Sequence, residues 1–465
     1  MDNSDPLVPF GIGIIVIIGL FIAIPFLRRK SDILTGWNCL LLGLIIFAGL
    51  GSIEVKYVPG FAYDQLKWFQ PSAAEVTWYM QATAAFIVAL LAAFYLNGPA
   101  KRFAQRRLQK WPDNNALVSL FAIGFCWAIV VASFLASHVT FVGPVLFNLG
   151  QKGAVFSCVF SFLLWYRNRI NVTWLLLFLG VLMTTLVYAM LVSPGRRLVL
   201  SVFFGPILCI YWLNARYWRP MRLAFAMGVA VVLLMGVTTV YSKFRWYSVT
   251  GGQGRTVSGV VSQLKDVRVK GDFFGVLLRN KLDYLAQSNA HFALLTERYV
   301  ALGLMPPIPL NTLRFLVAFP IPRKIWKEKP ETAGIVIVRD VSHIPGTNWG
   351  LGVAGQGAYE GGIPALILYA VLLALFIRII DEPIKLQPDN PFLIAIQAAA
   401  LPHIVGIPRG DMAIMFVESA DCVLFAFVLG IACRLMFGTA QRPVPTGTLN
   451  PQWPNGTSPA YRLAR

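Results

Sequence analysis

Long apolar stretches recur along this chain, and they constrain its fold more than any other feature. Hydrophobic residues make up 57% of the chain and charged residues only 13%, too few to cover a water-soluble protein. A helix of about 20 residues crosses a bilayer, so most of the stretches are long enough to span it. The sequence therefore predicts an all-α polytopic membrane protein with about 11 transmembrane helices. The stretches fall at about 7–27, 33–53, 76–96, 116–138, 150–166, 171–192, 198–214, 223–241, 362–380, 391–406 and 413–436.

Lysine and arginine are unevenly distributed between the loops that join these stretches. Cytoplasmic loops of membrane proteins are enriched in both residues. The N-terminus is therefore predicted to lie outside the cytoplasm and the C-terminus inside. The four short loops on one side hold 13 lysines and arginines, whereas the three opposite hold five, namely Lys56, Lys67, Lys152, Arg196 and Arg197.

The order of the stretches divides the chain into four parts. Residues 1–241 are predicted to form transmembrane helices 1–8, and residues 362–436 helices 9–11. Residues 242–361 between them are too polar to span the bilayer and include amphipathic pieces such as Phe274–Leu302. Connections of this length are usually functional, so we expect a helical cap on the outer face. Residues 437–465 are rich in Pro, Gly, Thr and Asn and predict a disordered cytoplasmic tail.

Composition excludes several function classes. The net charge of +19 fits the enrichment of lysine and arginine in cytoplasmic loops, and an anionic lipid-phosphate substrate would also call for cations. The sequence contains no basic–aromatic platform, which excludes a nucleic-acid-binding protein. All six cysteines lie inside apolar stretches and are interpreted as core residues. Glu54, Asp64 and Glu75 stand isolated in the first outer loop, without the paired acidic residues that would hold a metal. No metal and no cofactor are predicted.

Arginines occur on the outer face, where the enrichment of cations in cytoplasmic loops disfavours them. Arg196 and Arg197 end the turn that begins at Ser193, and Arg409 lies in the turn between the last two stretches. Guanidinium groups match phosphate oxygens in bidentate geometry, so these arginines indicate a phosphate-bearing headgroup as substrate. The alternative is that they extend to the headgroups of ordinary anionic lipids.

A second group of cations lies in the outer segment between Pro320 and Pro330. It comprises Arg323, Lys324 and Lys329 together with Trp326. The prolines predict a rigid, extended turn, and the Trp is suited to an interfacial anchor or to stacking on a sugar. An amphipathic surface segment that rests on headgroups explains the pattern equally well.

Residues 339–362 contain the candidate for a general base. His343 follows Arg339 in a polar loop, and an unperturbed histidine titrates near neutral pH. A loop histidine is more often structural or merely exposed. Asn348 and Tyr359 belong to the glycine-rich residues that follow. These residues lack the lysine of a nucleotide-binding loop. Their glycines are instead expected to let the backbone pack closely at a substrate cleft.

Two acidic residues occur within the last apolar stretch. Glu418 and Asp421 are three positions apart and therefore share one face of a helix. Charges are costly in lipid, so both should point into the bundle. They are expected to pair with arginines of neighbouring helices, and a polar path is the alternative.

Taken together, these motifs resemble the Wzy-type oligosaccharide repeat-unit polymerases, which include the O-antigen polymerases of bacteria. The resemblance rests on the topology and on four short motifs: the Ser-Pro-Gly-Arg-Arg turn at 193–197, the Pro-x-x-x-Trp-x-x-Lys-Pro stretch at 322–330, the run from Gly346 to Gly362, and the Arg-Gly-Asp turn at 409–411.

The resemblance implies a metal-independent, inverting glycosyltransferase on the periplasmic face of the bacterial inner membrane. Its substrates would be glycans linked to undecaprenyl pyrophosphate, and a chain-length regulator protein would be a partner. The outer arginines would neutralise the pyrophosphate leaving group, and His343 would deprotonate the acceptor hydroxyl.

Two alternatives remain open at this stage. The related O-antigen ligases carry a His-Asn pair where this chain has Thr347 and Asn348, which favours a polymerase and leaves the base uncertain. A transporter or flippase of an anionic solute would place its cations near the bilayer midplane. The cations found here cluster at helix ends instead.

Overall fold

The protein was analysed as a computed structural model, in which every regular element of the described chain is a helix. This agrees with the predicted all-α class of a polytopic membrane protein. The structure describes residues 4–29, 31–57, 69–107, 111–112, 115–136, 143–192, 196–250, 289–319, 321, 325–341, 349–410 and 412–438.

Sixteen helices are numbered here in chain order. The first part of the described chain contains α1 (Leu7–Leu27), α2 (Gly36–Tyr57, with a π-helical segment at Ile45–Leu50), α3 (Ala73–Leu96), α4 (Gly98–Arg107), α5 (Ala116–Leu135), α6 (Gly143–Arg167), α7 (Val172–Val192), α8 (Arg196–Leu213) and α9 (Pro220–Thr250). The second part contains α10 (Asn289–Ala301), α11 (Asn311–Ala318), α12 (Ala333–Val336), α13 (Gly352–Glu360), α14 (Gly362–Leu386), α15 (Pro391–Gly406) and α16 (Met412–Phe437).

Within the described residues, each of the eleven apolar stretches coincides with a helix over most of its length. Nine helices of the described residues are long and apolar enough to cross a membrane, namely α1, α2, α3, α5, α6, α7, α14, α15 with its 3₁₀ extension to Arg409, and α16. The other two stretches are shorter apolar segments, Arg197–Leu213 in α8 and Pro220–Leu234 in α9. The multi-pass class is thus confirmed, while the count of 11 spans stays a prediction.

α15 is the central helix of the bundle. Of its spanning residues, 83% are buried inside the protein, against 22% for α1. It packs on α2, α6, α8 and α16. A helix that is apolar all round belongs in a core, where no side has to face solvent or lipid. Its N-terminus is capped by Asn390, whose side chain accepts from the backbone of Phe392 at 3.0 Å.

The end of the bundle from which the chain leaves α16 is called here the tail end, and it is held together by a buried carboxylate. Asp381 of α14 accepts the backbone N–H groups of Gly36 at 2.7 Å and Trp37 at 2.9 Å. It therefore supplies the acceptors that the first turn of α2 lacks. One turn earlier, Arg378 donates to the carbonyl of Phe94 at 2.9 Å. These contacts tie α14 to α2 and α3.

Helices α10 to α13 form a cap at the opposite end, called here the cap end. Arg298 of α10 donates to both carboxylate oxygens of Glu75, at 2.8 and 2.9 Å. Glu75 also completes the capping box with Ser72 that starts α3. The cap is thereby attached to the first turn of a spanning helix.

A second attachment of the cap centres on Glu360, which is fully buried at the end of α13. Its carboxylate accepts the backbone N–H of Thr312 at 2.7 Å and the hydroxyl of the same residue at 2.9 Å. Gln356 and Tyr369 also donate to it. Burial raises the pKa of Glu360. One carboxylate thus joins α11, α13 and α14.

The structure corrects the placement of Lys152, which the sequence assigned to an outer loop. α6 begins at Gly143, so Lys152 lies well inside this helix, and its side chain is only 3% exposed. The polar residues Asn148, Gln151 and Lys152 interrupt the apolar run, which made the stretch seem to begin at about 150. Without Lys152 the opposite loops hold four cations instead of five, and the charge asymmetry becomes stronger.

Sidedness of the two ends can be tested by cysteine labelling. All six native cysteines are buried, so introduced thiols should dominate the reaction. Leu302→Cys lies in the exposed cap and Ile170→Cys in the 97% exposed tail-end turn. We expect a membrane-impermeant maleimide added to intact bacterial cells to label Leu302→Cys only, and both after lysis. Labelling of Ile170→Cys in intact cells would reverse the predicted orientation.

Glu360→Ala should destabilise the protein by about 3 kcal/mol or more, because several buried donors lose their acceptor at once. Thermal unfolding of the purified protein in detergent measures the loss. Glu328→Ala removes an exposed carboxylate of the same cap and should change stability by less than about 0.5 kcal/mol. Equal stability of the two variants would contradict the anchoring role of Glu360.

The raised pKa of Glu360 also predicts a pH dependence. The folded carboxyl group holds its proton more tightly than the unfolded one, whose pKa is near 4.5. The wild-type protein should therefore lose stability relative to Glu360→Gln as the pH rises above about 4.5. The measurement is the unfolding midpoint of both proteins from pH 4 to pH 8, a range that extends about four units upward from near the unfolded pKa. A constant difference between them would contradict the shift.

Candidate functional site

A buried ion pair lies inside the membrane-spanning bundle. The ammonium group of Lys152 on α6 contacts the carboxylate of Glu418 on α16. Lys152 is seven residues from the start of its span at Val145, and Glu418 is six residues from Met412. At 1.5 Å per residue both lie roughly 9–11 Å below the cap end of their helices. An intramembrane charge is costly and marks a functional site by default.

Further polar groups surround this pair. Tyr188 of α7 lies within electrostatic range of Lys152. Its hydroxyl is 3.2 Å from the hydroxyl of Ser133 on α5. Gly150, half a turn before Lys152, lies against both hydroxyls, and a side chain at this position would collide with them. Polar groups from four helices therefore converge at one depth of the bundle.

A histidine of α15 and an arginine of α8 reach the same region. The imidazole of His403 lies within electrostatic range of both Lys152 and Arg197. Arg197 packs on Gly406, where an added Cβ would be 3.1 Å from a terminal guanidinium nitrogen. The glycine thus makes room for the arginine. Asp421 of α16 is also within electrostatic range of Lys152. Lys152, His403, Glu418 and Asp421 are called here the inner polar cluster.

Arg409 occupies a tight crossing of backbone segments just beyond the cluster. A Cβ on Gly350 would be 2.7 Å from the side chain of Arg409, and Gly410 has a φ of +98° that favours glycine. Asn289, the first residue of α10, donates to the carbonyl of Gly350 at 2.9 Å and also to that of Arg409. The cap therefore holds the turn that carries Arg409.

Arg197 and Arg409 both lie at the cap end of α15. Gly406, on which Arg197 packs, is three residues before Arg409, and both arginines are partly buried. Two guanidinium groups at the cap end of α15 can bind an anion and neutralise charge that develops on it. Below them, the inner polar cluster provides groups that are able to hold or move a proton.

A cavity of about 400 Å³ lies within the cap. Lys329 lines it, but its ammonium group donates to the carbonyls of Phe319 at 2.8 Å and Ile321 at 3.0 Å. Arg339 lines it as an ion pair with Glu331. The other lining residues are Leu304, Met305, Pro306, Ile308, Asn311, Arg314, Glu328, Pro330, Val336 and Tyr359.

The residues predicted from sequence fall into four groups. Arg197 and Arg409 lie together at the end of α15, whereas Lys329, Arg339 and Tyr359 line the cap cavity. Trp326 is exposed on the cap. The remaining candidates lie wholly or partly outside the described residues: His343, Asn348, Arg323 and Lys324 entirely, and Arg196 in its side chain, although Arg196 begins α8.

The sequence missed part of this arrangement. Glu418 pairs with a lysine instead of the arginine that was expected, because Lys152 lies inside a span. His403, interpreted from sequence as a packing residue, belongs to the inner polar cluster. The available signal was a lysine in one apolar stretch and a glutamate in another, since each needs a partner in lipid.

Comparison with known proteins does not assign this site. The chain matches no family model, no curated protein and no solved structure.

Lys152→Met should leave Glu418 as an uncompensated buried charge and destabilise the protein by about 3–5 kcal/mol. The double variant Lys152→Met/Glu418→Leu should recover most of that loss, because both charges are gone. Thermal unfolding of the single and double variants in detergent measures both effects. If the double variant and Lys152→Met unfold at the same temperature, the loss of stability does not come from the unpaired charge of Glu418.

Proposed function

We propose that this protein is a membrane glycosyltransferase that polymerises oligosaccharide repeat units linked to undecaprenyl pyrophosphate. The reaction would take place at the cap end, on the periplasmic face of a bacterial inner membrane. A growing glycan would move from its lipid pyrophosphate to the next lipid-linked unit. The product would be an O-antigen or an exopolysaccharide, as expected for a polysaccharide biosynthesis enzyme.

The proposal depends on one observation above others. Arg197 of α8 packs on Gly406 and Arg409 lies three residues further along, so both are at the cap end of α15, where the predicted orientation disfavours positive charge. A phosphate-bearing substrate accounts for two guanidinium groups at this position, because a guanidinium group can donate two hydrogen bonds to phosphate oxygens.

The chemistry assigns each group a task. The acceptor hydroxyl oxygen attacks the anomeric carbon, and the bond from that carbon to the pyrophosphate oxygen breaks. The leaving pyrophosphate takes the bonding electron pair, and Arg197 and Arg409 stabilise its charge. The hydroxyl proton passes to a base, for which the sequence offers His343. Attack from the face opposite the leaving group inverts the configuration.

Transport is a second candidate function, and the inner polar cluster favours it. Its charges lie within the spanning helices, as expected for the relay of a transporter or flippase of an anionic solute. Uptake of a labelled solute into vesicles, without any change in glycan length, would favour transport. The polysaccharide profile of a deletion strain distinguishes a ligase from a polymerase. Loss of a ligase removes all capped product, whereas loss of a polymerase leaves single-repeat product.

Replacing either arginine should abolish long-chain polysaccharide. We expect Arg197→Ala and Arg409→Ala, each expressed in a deletion strain of the native host, to reduce chain extension by about 100-fold, which leaves single-repeat product on a gel. Arg169→Ala at the tail end is the matched control and should support normal chain length. Immunoblots of membranes establish equal amounts of protein. Long chains in both alanine variants would refute the pyrophosphate site.

A further inference from the structure

Helix α11 lies beside the beginning of a membrane span. Phe315 packs on Ala413 and Val417 of α16, and Leu316 and Phe319 join this contact. Ala413 and Val417 belong to the first two turns of α16, within about 8 Å of its start. α11 is therefore located at the level where the hydrocarbon of the bilayer meets the headgroups.

The opposite side of α11 faces outward and is amphipathic. Val317 is 78% exposed, and Arg314 is exposed three residues before it, on the same face of the helix. Leu304, Ile325 and Trp326 are further exposed apolar residues of the cap. Apolar groups at this level avoid water by contacting acyl chains, and a cation next to them lies at headgroup depth.

Arg314 lines the cap cavity, and the charged residues of the lining differ in whether they have a partner in the protein. Lys329 is bound to backbone carbonyls, and Arg339 is paired with Glu331. Arg314 makes no side-chain hydrogen bond or ion pair with the residues that the structure describes, and Glu328 makes none either. Three cations and two carboxylates leave the lining with a net charge of +1. The cavity therefore favours an anion, and Arg314 is the cation available to bind it.

We propose that this cavity is a binding site for the phosphate-bearing headgroup of a lipid with net negative charge, in the leaflet at the cap end. Arg314 contacts the phosphate, and Leu304 and Val317 contact the start of the acyl chains. None of the lining residues belongs to the Arg197–Arg409 site. The inference goes beyond the proposed function, since an ordinary anionic phospholipid is sufficient to occupy the cavity.

A thiol in the cavity wall gives a direct test on the full-length protein. The six native cysteines are buried, so Val336→Cys, which lines the cavity, should be the thiol that reacts with a maleimide. The protein is purified in detergent and titrated with dioleoylphosphatidic acid in mixed micelles. We expect this lipid to slow labelling, whereas dioleoylphosphatidylcholine, which has no net charge, should not. Equal protection by both lipids would overturn the proposal.

Two charge variants test the assignment of the phosphate contact. In the Val336→Cys background, Arg314→Gln should weaken protection by phosphatidic acid about fivefold, since one surface cation contributes about that factor. Arg314→Lys should retain most of it, and Glu328→Gln should strengthen it, because a repelling charge is removed. Unchanged affinity in Arg314→Gln, with the unfolding midpoint of the parent, would overturn the proposal.

A soluble probe distinguishes a lipid phosphate from a free phosphate as the ligand. Glycerol 3-phosphate carries the same phosphomonoester without acyl chains and should protect the thiol far less than phosphatidic acid. Equal protection would overturn the lipid assignment. The measurement requires no enzymatic activity, so its outcome is independent of whether Arg197 and Arg409 support chain extension.

Discussion

The hydrocarbon of a bilayer offers no hydrogen-bond partner, so every polar group placed in it must be satisfied by the protein. This constraint accounts for the helical architecture and for the few charges that the spans contain. Asp381 lies at the start of α2, where two backbone N–H groups need acceptors. Lys152 and Glu418 lie deeper, and each supplies the counter-charge that the other needs. In both cases a polar group in a span has its partner on another helix.

The same constraint explains how a polar cap is mounted on an apolar bundle. The cap is attached where spanning helices end, because those ends have unsatisfied backbone groups and tolerate charge. Arg298 binds the capping carboxylate of α3, Glu360 joins α11 to α13 and α14, and Asn289 holds the turn after α15. The arginine at this last turn is thus oriented by the cap as well as by the bundle. Chemistry at this end would depend on both parts of the molecule.

Charge in this protein is therefore arranged in layers along the bundle axis. The tail end has structural pairs such as Arg378 with Glu382 at 2.8 Å. The inner polar cluster lies about 9–14 Å below the cap end, and Arg197 and Arg409 lie at that end. This arrangement of charge is suited to an anionic substrate that approaches from the cap side. The groups of the inner polar cluster, which are able to hold a proton, are compatible with either glycosyl transfer or transport.

The sequence by itself determined the membrane class and the positions of the helices, because hydropathy over about 20 residues depends only on local composition. It also identified Arg197 and Arg409, since cations at those helix ends depart from the charge distribution expected for the predicted orientation. It did not determine that these two arginines lie at the same helix end, that Lys152 lies inside α6, or that Arg314 lines a cavity. Those facts arise from contacts between residues far apart in the chain, such as Lys152 with Glu418 and Arg197 with Gly406. Local composition carries no information about which helices are neighbours, so only the tertiary structure decided them.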